Sequence, residues 1–356
     1  MPYFYFRHES DDGKEMFFAE MPVRKSQDND VLPMISSRTA PSKGEDSYLA
    51  NYENLPHHLK SCLDYIASLA FIATLTYLTE NKLVRLLVAE GLIPAETGEI
   101  LEVVAENIIG ELIGLEMLQE CPYWHVLEVV EPYKKLCLVE VDEQEFISKV
   151  GNLPVRAVIK IHRKNNALDF KNFEIRSLFL QAEHPYGGLS LANTQSICQL
   201  QFLLVLEIVG AIESLPDEVG LNLVQLTYLG LSYSCFVKLP RTLGNLQKLQ
   251  TLDIFPYEDP FQLPIEVLKI QQLKHLLLWS STSMDNEVRF PKEIGMLVNL
   301  QTCGNVYAGD GIANELATLT QLRKLTVHRV SEDHAVDLAS AIMKMENLVS
   351  LTLRER

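Results

Sequence analysis

The chain has 356 residues, 47% of them hydrophobic and 22% charged, with a formal net charge of −16. At about 150 residues per domain, this length suggests two domains with cores large enough to need no disulfide or metal staple. The acidic balance excludes a phosphate backbone as the main partner, because that affinity comes from clustered Lys and Arg, and it equally disfavours a polybasic membrane surface.

Residues 1–50 are polar and irregular, broken by Asp-Asp-Gly, Ser-Gln-Asp-Asn-Asp and Pro-Ser-Lys-Gly-Glu-Asp. They read as an irregular lead-in without a secretory leader. Phe4, Tyr5, Phe6, Phe17 and Phe18 give no reason to expect regular structure.

Residues 51–150 change character. Pro56 suits the first turn of a helix, and Leu59, Cys62, Leu63, Ile66 and Leu69 then form one apolar helical face. The run Leu63 to Leu78 contains Asp64 and is shorter than the ~20 residues of a bilayer span, so it predicts a buried helix. A second helix over Leu83 to Glu90 stops at Gly91. A third begins after Thr97-Gly98, with Leu101, Val104, Ile108, Leu112 and Leu115 on its inner stripe and Glu102, Glu106 and Glu116 off it. Leu136 to Val141 predicts a strand. Three short helices followed by strand-like segments suggest a small helical domain with a β wing. Residues 96–145 carry twelve Glu and one Asp against Lys134 and Lys135, a net of −11 that argues against DNA binding.

Residues 151–356 repeat. L-x-x-L-x-L occurs as Leu203-x-x-Leu206-x-Ile208, Leu226-x-x-Leu229-x-Leu231, Leu249-x-x-Leu252-x-Ile254, Leu273-x-x-Leu276-x-Leu278, Leu322-x-x-Leu325-x-Val327 and Leu348-x-x-Leu351-x-Leu353. Ile175-x-x-Leu178-x-Leu180 precedes them, Val158 to Ile161 is an earlier strand candidate, and a degenerate copy surrounds Leu300-x-x-Cys303. The central positions 178, 206, 229, 252, 276, 303, 325 and 351 are separated by 28, 23, 23, 24, 27, 22 and 26 residues. Leu215-Pro216, Leu239-Pro240, Leu263-Pro264 and Phe290-Pro291 follow in phase, where a proline turns the chain off the ladder. This is the strand signature of a leucine-rich-repeat solenoid of about eight coils, and the fold class is α/β.

In such a solenoid the residues flanking the inward leucines face the concave side. The partner-binding candidates are Glu207, Tyr228, Ser232, Asp253, Phe255, His275, Trp279, Lys324, His328 and Arg354, with Phe255 and Trp279 the leading pair. Aromatic and charged side chains in a row suit protein recognition. No polar capping coil follows Leu353, which predicts a ragged or partner-covered C-terminal edge and aggregation of the isolated chain.

No motif supports catalysis or a cofactor. Gly13-Lys14-Glu15 lacks the spacing and hydroxyl of a phosphate loop, and there is no G-x-G-x-x-G, H-E-x-x-H or G-x-S-x-G. His57 and His58 are adjacent on a helix start and do not converge on a metal. The acidic run Glu140, Asp142, Glu143 and Glu145 lacks the glycine and spacing of a calcium loop. Six scattered cysteines without a CxxC read as reduced, buried thiols in a cytoplasmic protein.

Tyr52-Glu-Asn-Leu-Pro-His-His-Leu-Lys-Ser-Cys62 resembles the opening of the winged-helix part of plant nucleotide-binding leucine-rich-repeat disease-resistance proteins. Leu83-Val-Arg-Leu-Leu-Val-Ala-Glu-Gly-Leu-Ile93 and Glu102-Val-Val-Ala-Glu-Asn-Ile-Ile-Gly-Glu-Leu-Ile113 are similar to the segments that follow. The resemblance covers residues 51–356 and implies plant defence by protein recognition. It also implies departures. Nothing in residues 1–50 resembles the family's nucleotide-binding core, so the chain reads as a truncated member. Where the family's switch motif places a His-Asp pair, this chain has Glu140 and Val141. Nucleotide switching is therefore not expected. The implied partner is a pathogen protein, a guarded host protein or another resistance protein. The alternatives are a non-signalling decoy or regulator of full-length relatives, and a general intracellular repeat scaffold.

Overall fold

In the computed structural model the described residues are 3–6, 17–20, 45–69, 78–94, 98–121, 126–137, 145–150, 153–161, 170, 174–182, 191–212, 214–234, 239–256, 261, 263–278, 290–309 and 311–355. The chain divides into two compact units, residues 1–47 and 48–356.

In the first unit, β1 (Tyr3–Phe6) and β2 (Phe17–Glu20) pair antiparallel, with Tyr5 opposite Phe18 and Phe6 opposite Phe17. This corrects the expectation of an irregular lead-in: runs of aromatic residues favour the pleated ladder. Helix α1 (Glu45–Glu53), most of which belongs to the second unit, begins earlier than the composition change suggests.

The second unit opens with helices. α2 (His57–Leu69) starts just after Pro56 and buries the expected face of Leu59, Cys62, Leu63, Ile66 and Leu69. α3 (Glu80–Glu90) is capped by the Thr79 hydroxyl, which accepts from the Lys82 amide, and it stops at Gly91 as expected. α4 (Leu101–Gly114) is rotated relative to its predicted stripe. Its buried side is Glu102, Ala105, Ile108, Ile109 and Leu112, and Leu115 is 43% exposed. An acid lies inside because the repeats supply it with partners. β3 (Leu118–Cys121) and β4 (Val126–Val129) form an antiparallel hairpin, and α5 (Glu131–Cys137) follows. Leu136 and Cys137 are therefore helical, not the start of a strand: Pro132 sits in the first turn, where its missing N–H costs nothing. Residues 138–141 lie outside the described residues.

The rest is one ten-stranded sheet. β5 (Glu145–Val150) is antiparallel to β6 (Leu153–Ile161). β6 then leads a parallel series in chain order: β7 (Ser177–Ala182), β8 (Val205–Val209), β9 (Tyr228–Ser234), β10 (Thr251–Pro256), β11 (His275–Leu278), β12 (Thr302–Tyr307), β13 (Lys324–Val330) and β14 (Ser350–Glu355). The strand register puts the eight central repeat positions in a single file, Leu178, Leu206, Leu229, Leu252, Leu276, Cys303, Leu325 and Leu351. Ala157 on β6 opens that file, so the parallel series has one strand more than the leucines mark.

The returns follow from the prolines. Pro240 and Pro264 hold φ at −66° with extended ψ and lead into 3-10 turns at Arg241–Asn245 and Ile265–Lys269. Those turns tuck Leu243 and Val267 under the sheet. Short helices α6 (Leu191–Ile197), α7 (Glu218–Asn222), α8 (Ile312–Leu316) and α9 (Glu332–Ile342) take the same place in other coils.

The sheet separates two cores. The leucine files and the returns make the first. The second joins α2, α3, α4, β3, β4 and Tyr133 to Val158, Phe179, Val205 and Tyr228, which project from the opposite face of β6–β9. Burying each such side chain contributes roughly 1.5–3 kcal/mol. The helical segment is thus packed on the strand face of the repeats.

Candidate functional site

A period-two strand sends every second residue out of the leucine core, so β6–β14 present three parallel files of outward side chains. Helices α3 and α4 contact the first two between β6 and β13.

Five charged side chains on the two helices, Lys82, Arg85, Glu90, Glu102 and Glu106, define that cover. On α3, Lys82 Nζ reaches Glu207 Oε1 at 2.8 Å, and the fully buried Glu207 also accepts from the Tyr228 hydroxyl at 3.0 Å. One turn on, Arg85 lies 3.5 Å from Asp253. At the end of the helix, Glu90 accepts from Arg156 Nε at 2.9 Å and from the Ser177 hydroxyl. The Arg156 guanidinium sits 5.1 Å from the centre of the Tyr65 ring. On α4, Glu102 lies 3.3 Å from His275 Nε2 and 3.4 Å from Lys274 Nζ. Glu106 takes Lys324 Nζ at 3.0 Å, and Asn81 accepts from the same ammonium at 2.6 Å. The pattern is complementary along the sheet. Bases on α3 meet acids on β8 and β10, and acids on α4 meet bases at β11 and β13.

The buried groups are tuned accordingly. Burial alone would raise the Glu102 carboxyl, but the His275 hydrogen bond and the Lys274 charge outweigh it and hold the group at about 2. Burial lowers His275, helped by Arg85 and Lys274 and opposed by Glu102. The consistent assignment is a neutral imidazole that donates from Nε2 to ionised Glu102 and accepts at Nδ1 from the Thr302 hydroxyl, 3.1 Å away. Burial and the Glu207 carboxylate push the Tyr228 phenol well up, so it stays a donor.

Five of the ten predicted concave residues are thereby accounted for within the chain. Glu207, Tyr228, Asp253, His275 and Lys324 face α3 or α4, which corrects the expectation of an uncovered face at these positions. The physical reason is charge matching plus the apolar bed of Val158, Phe179 and Val205. The third file is different. Ser232 is level with Phe255 on β10, and His328 with Arg354 on β14. All four side chains are half-buried. Ser232 Oγ also reaches Glu207 Oε1 at 3.4 Å. Trp279 lies outside the described residues, as do Glu140 and Val141.

Sequence reading missed Tyr307. Simple alternation after Cys303 sends Val306 outward, but β12 carries a bulge between Cys303 and Val306. Two residues there, Gly304 and Asn305, oppose one on β13, so Val306 turns inward and Tyr307 joins the file beside His328. Asn305 takes φ 61° at the bulge, and its side-chain oxygen bonds His328 Nε2. β13 has its own bulge at Arg329, φ 52°, which keeps that residue out of the leucine core and returns Val330 to it. Lys82 and Arg85 were also missed, although charges three residues apart on a helix otherwise made of buried leucines were a legible signal.

Among the described residues no group of three or more His, Cys, Asp or Glu could hold a metal ion. No described helix is long and apolar enough to cross a membrane. Cys62, Cys198 and Cys303 are buried free thiols, and burial pushes Cys62 and Cys303 up to about 12.

A parallel sheet that stacks one L-x-x-L-x-L strand per coil defines a leucine-rich-repeat protein, and the family model described as a leucine-rich repeat region matches residues 221–356. "Probable disease resistance protein At1g59620" of Arabidopsis thaliana is 28% identical over 323 residues, covering 85% of this chain and 35% of that protein. "Probable disease resistance RPP8-like protein 2" of the same plant is 25% identical over 329 residues, covering 86% and 35%. The chain is similar to these plant disease-resistance proteins over most of its length, and it spans about a third of the length of those it matches. Among solved structures, the leucine-rich repeat domain of the type III effector XCV3220 (XopL) aligns over 89% of this chain and 97% of its own at 16% identity, with a TM-score of 0.34. That likeness carries no weight for the fold, which rests on the strand pairing above.

Proposed function

We propose that the chain serves plant defence as a cytoplasmic recognition module. It binds a pathogen protein, a guarded host protein or another resistance protein through its repeats, with no catalytic step and no nucleotide switch. The observation that carries this is the division of the strand face. From β6 to β13 the chain's own helices contact the first two files, while the third carries Phe255, Tyr307, His328 and Arg354 as half-buried side chains, and Tyr and Arg are enriched at protein-interface hot spots. The three helices α2–α4 followed by the β3–β4 hairpin support a winged-helix-like module, used here as a fixed cover and not for reading DNA. The similarity to the relatives' repeats favours one further mode of action, regulation of full-length relatives by competition for a shared partner.

The test is affinity capture of the tagged chain from leaf tissue, alone and with a full-length relative, comparing wild type with Phe255→Ala and with Val336→Ser on the exposed face of α9. We expect a defined partner that Phe255→Ala loses and Val336→Ser keeps. Capture indifferent to Phe255, or measurable ATP or ADP binding by the purified chain, overturns the reading.

A further inference from the structure

β14 is the outermost strand of the sheet, and among the described residues no strand pairs with its far side. In the preceding coils the next strand closes over the two inward positions, so Leu276, Leu278, Leu325 and Val327 are buried. Leu351 and Leu353 lie level with Leu325 and Val327, yet they are 40% and 47% exposed. The rim beside them is apolar too. Val349 is exposed two residues before Leu351, where the four preceding coils carry Gln250, Lys274, Gln301 and Arg323. The middle of the strand lacks the devices that blunt a sheet edge: it has no proline, and Ser350 to Arg354 pair with β13 in unbroken register. The Ser350 amide donates to the Arg323 carbonyl. A parallel ladder uses every second residue, so Thr352 and Arg354 also face β13, and the N–H and C=O of Leu351 and Leu353 point to the open side. The charge is balanced here. From Lys324 to Arg356 there are five acids and five bases, although the whole chain carries −16, so two copies can meet at this end without net repulsion.

We propose that β14 pairs antiparallel with β14 of a second copy of the chain, about a two-fold axis through Thr352. The strand is self-complementary in that register. Leu351 of each copy stands opposite Leu353 of the other, and these are the residues whose backbone groups are open, so they form two mutually hydrogen-bonded pairs. Residues opposite each other in an antiparallel pair share a face, and the two leucine cores become continuous beneath the joint. Thr352 meets its own counterpart in a pair without hydrogen bonds. Ser350 stands opposite Arg354 and Val349 opposite Glu355, so no like charges are opposed. The same patch serves both copies, and the assembly closes at two. Apolar contact and backbone pairing hold it, so salt does not weaken it.

The experiment is sedimentation of the full chain over a range of micromolar concentrations, at low and high salt. We expect the mass to rise from 40.3 kDa to twice that and no further, with salt leaving the midpoint unchanged or lowering it. Leu353→Lys puts a charge into the joint and should weaken the dimer by about tenfold or more. Leu353→Pro removes an N–H on the open side, which an edge strand tolerates, and should weaken it as well. Phe202→Ser, at an exposed apolar residue on the turn before β8, should leave it unchanged. Unchanged circular dichroism separates lost pairing from lost folding. The register has its own readout. A pair without hydrogen bonds brings the two α-carbons to about 4.5 Å, within reach of a disulfide. Thr352→Cys should therefore cross-link two copies on mild oxidation, while Ser350→Cys and the unsubstituted chain should not. A monomer at every concentration, growth beyond a dimer, indifference to both Leu353 variants, or cross-linking of Ser350→Cys as readily as Thr352→Cys overturns the proposal. Partner capture through Phe255 does not depend on this joint, so its reading stands or falls separately.

Discussion

Lys82 on α3 and Glu207 on β8, 125 positions apart in the chain, form a buried ion pair at 2.8 Å, and the Tyr228 hydroxyl completes the carboxylate. That pair joins the helical segment to the repeats. Removing one partner strands a charge out of water, so we expect Lys82→Met to destabilise the fold by about 3–5 kcal/mol. Adding Glu207→Gln should recover part of the loss, since no charge is then left alone. Urea melts of the two single variants and the double variant give the coupling, and additivity would show that the two residues do not depend on each other.

Gly230 carries no side chain because Glu207 needs the space: a Cβ there would lie 1.9 Å from Glu207 Oε2. Gly230→Ala should displace that carboxylate and cost about 2 kcal/mol or more. Gly110, on the open side of α4, meets nothing within 4 Å. Gly110→Ala should stabilise by about 0.5–1 kcal/mol through helix propensity. Thermal melts of the two variants should move in opposite directions.

The Glu102–His275 contact makes stability depend on pH in one direction. His275 is lowered from its ordinary 6.5, so the unfolded chain takes a proton first, and stability falls as pH drops below about 6.5. Glu102 is held near 2 against an ordinary 4.5, and its contribution, full above 4.5, is lost as pH falls toward 2. Unfolding midpoints should be level from pH 8 to 7 and decline below 6.5. His275→Gln should flatten the upper part of that decline, and an unchanged profile would show that His275 is not its source.

Equivalent leucines should not cost the same. Leu252 is fully buried in mid-solenoid, while Leu353 on the edge strand is 47% exposed. Leu252→Ala should cost about 2–5 kcal/mol and Leu353→Ala less than about 1 kcal/mol, read from denaturant midpoints.

The bulge at Asn305 has its own signature. Its φ of 61° suits Asn or Gly and strains other residues. Asn305→Ala should lose about 1–2 kcal/mol, and Asn305→Gly less, because glycine relieves the strain while still losing the His328 bond. Both should shift the His328 ring resonances in NMR spectra.

The repeats were legible because each coil is a local unit whose spacing survives in the chain: leucines at period two, then a proline that must leave the ladder. Helices α2 and α3 were legible from the same kind of periodicity. The face of α4 was not. Hydrophobicity put Glu102 on the outside, and only the bases at 274 and 275, 172 and 173 positions away, bring it in. Of the concave residues, the types were readable and their occupancy was not. Tyr307 was hidden by a single extra residue in β12, which reverses every side chain after it.

The amino-acid sequence alone determined that this chain is a leucine-rich solenoid preceded by an acidic helical segment, because burial within and between adjacent coils is written as short-range spacing. Which part of the strand face the helices cover was decided only by the tertiary structure. That depends on charges on two helices meeting charges on strands more than a hundred positions later, and no local pattern encodes such a meeting. The same packing explains the uneven acidity. Two of the acids that make residues 96–145 so negative, Glu102 and Glu106, are held by bases of the repeats, so a charge that excluded phosphate partners also fixes the helices in place.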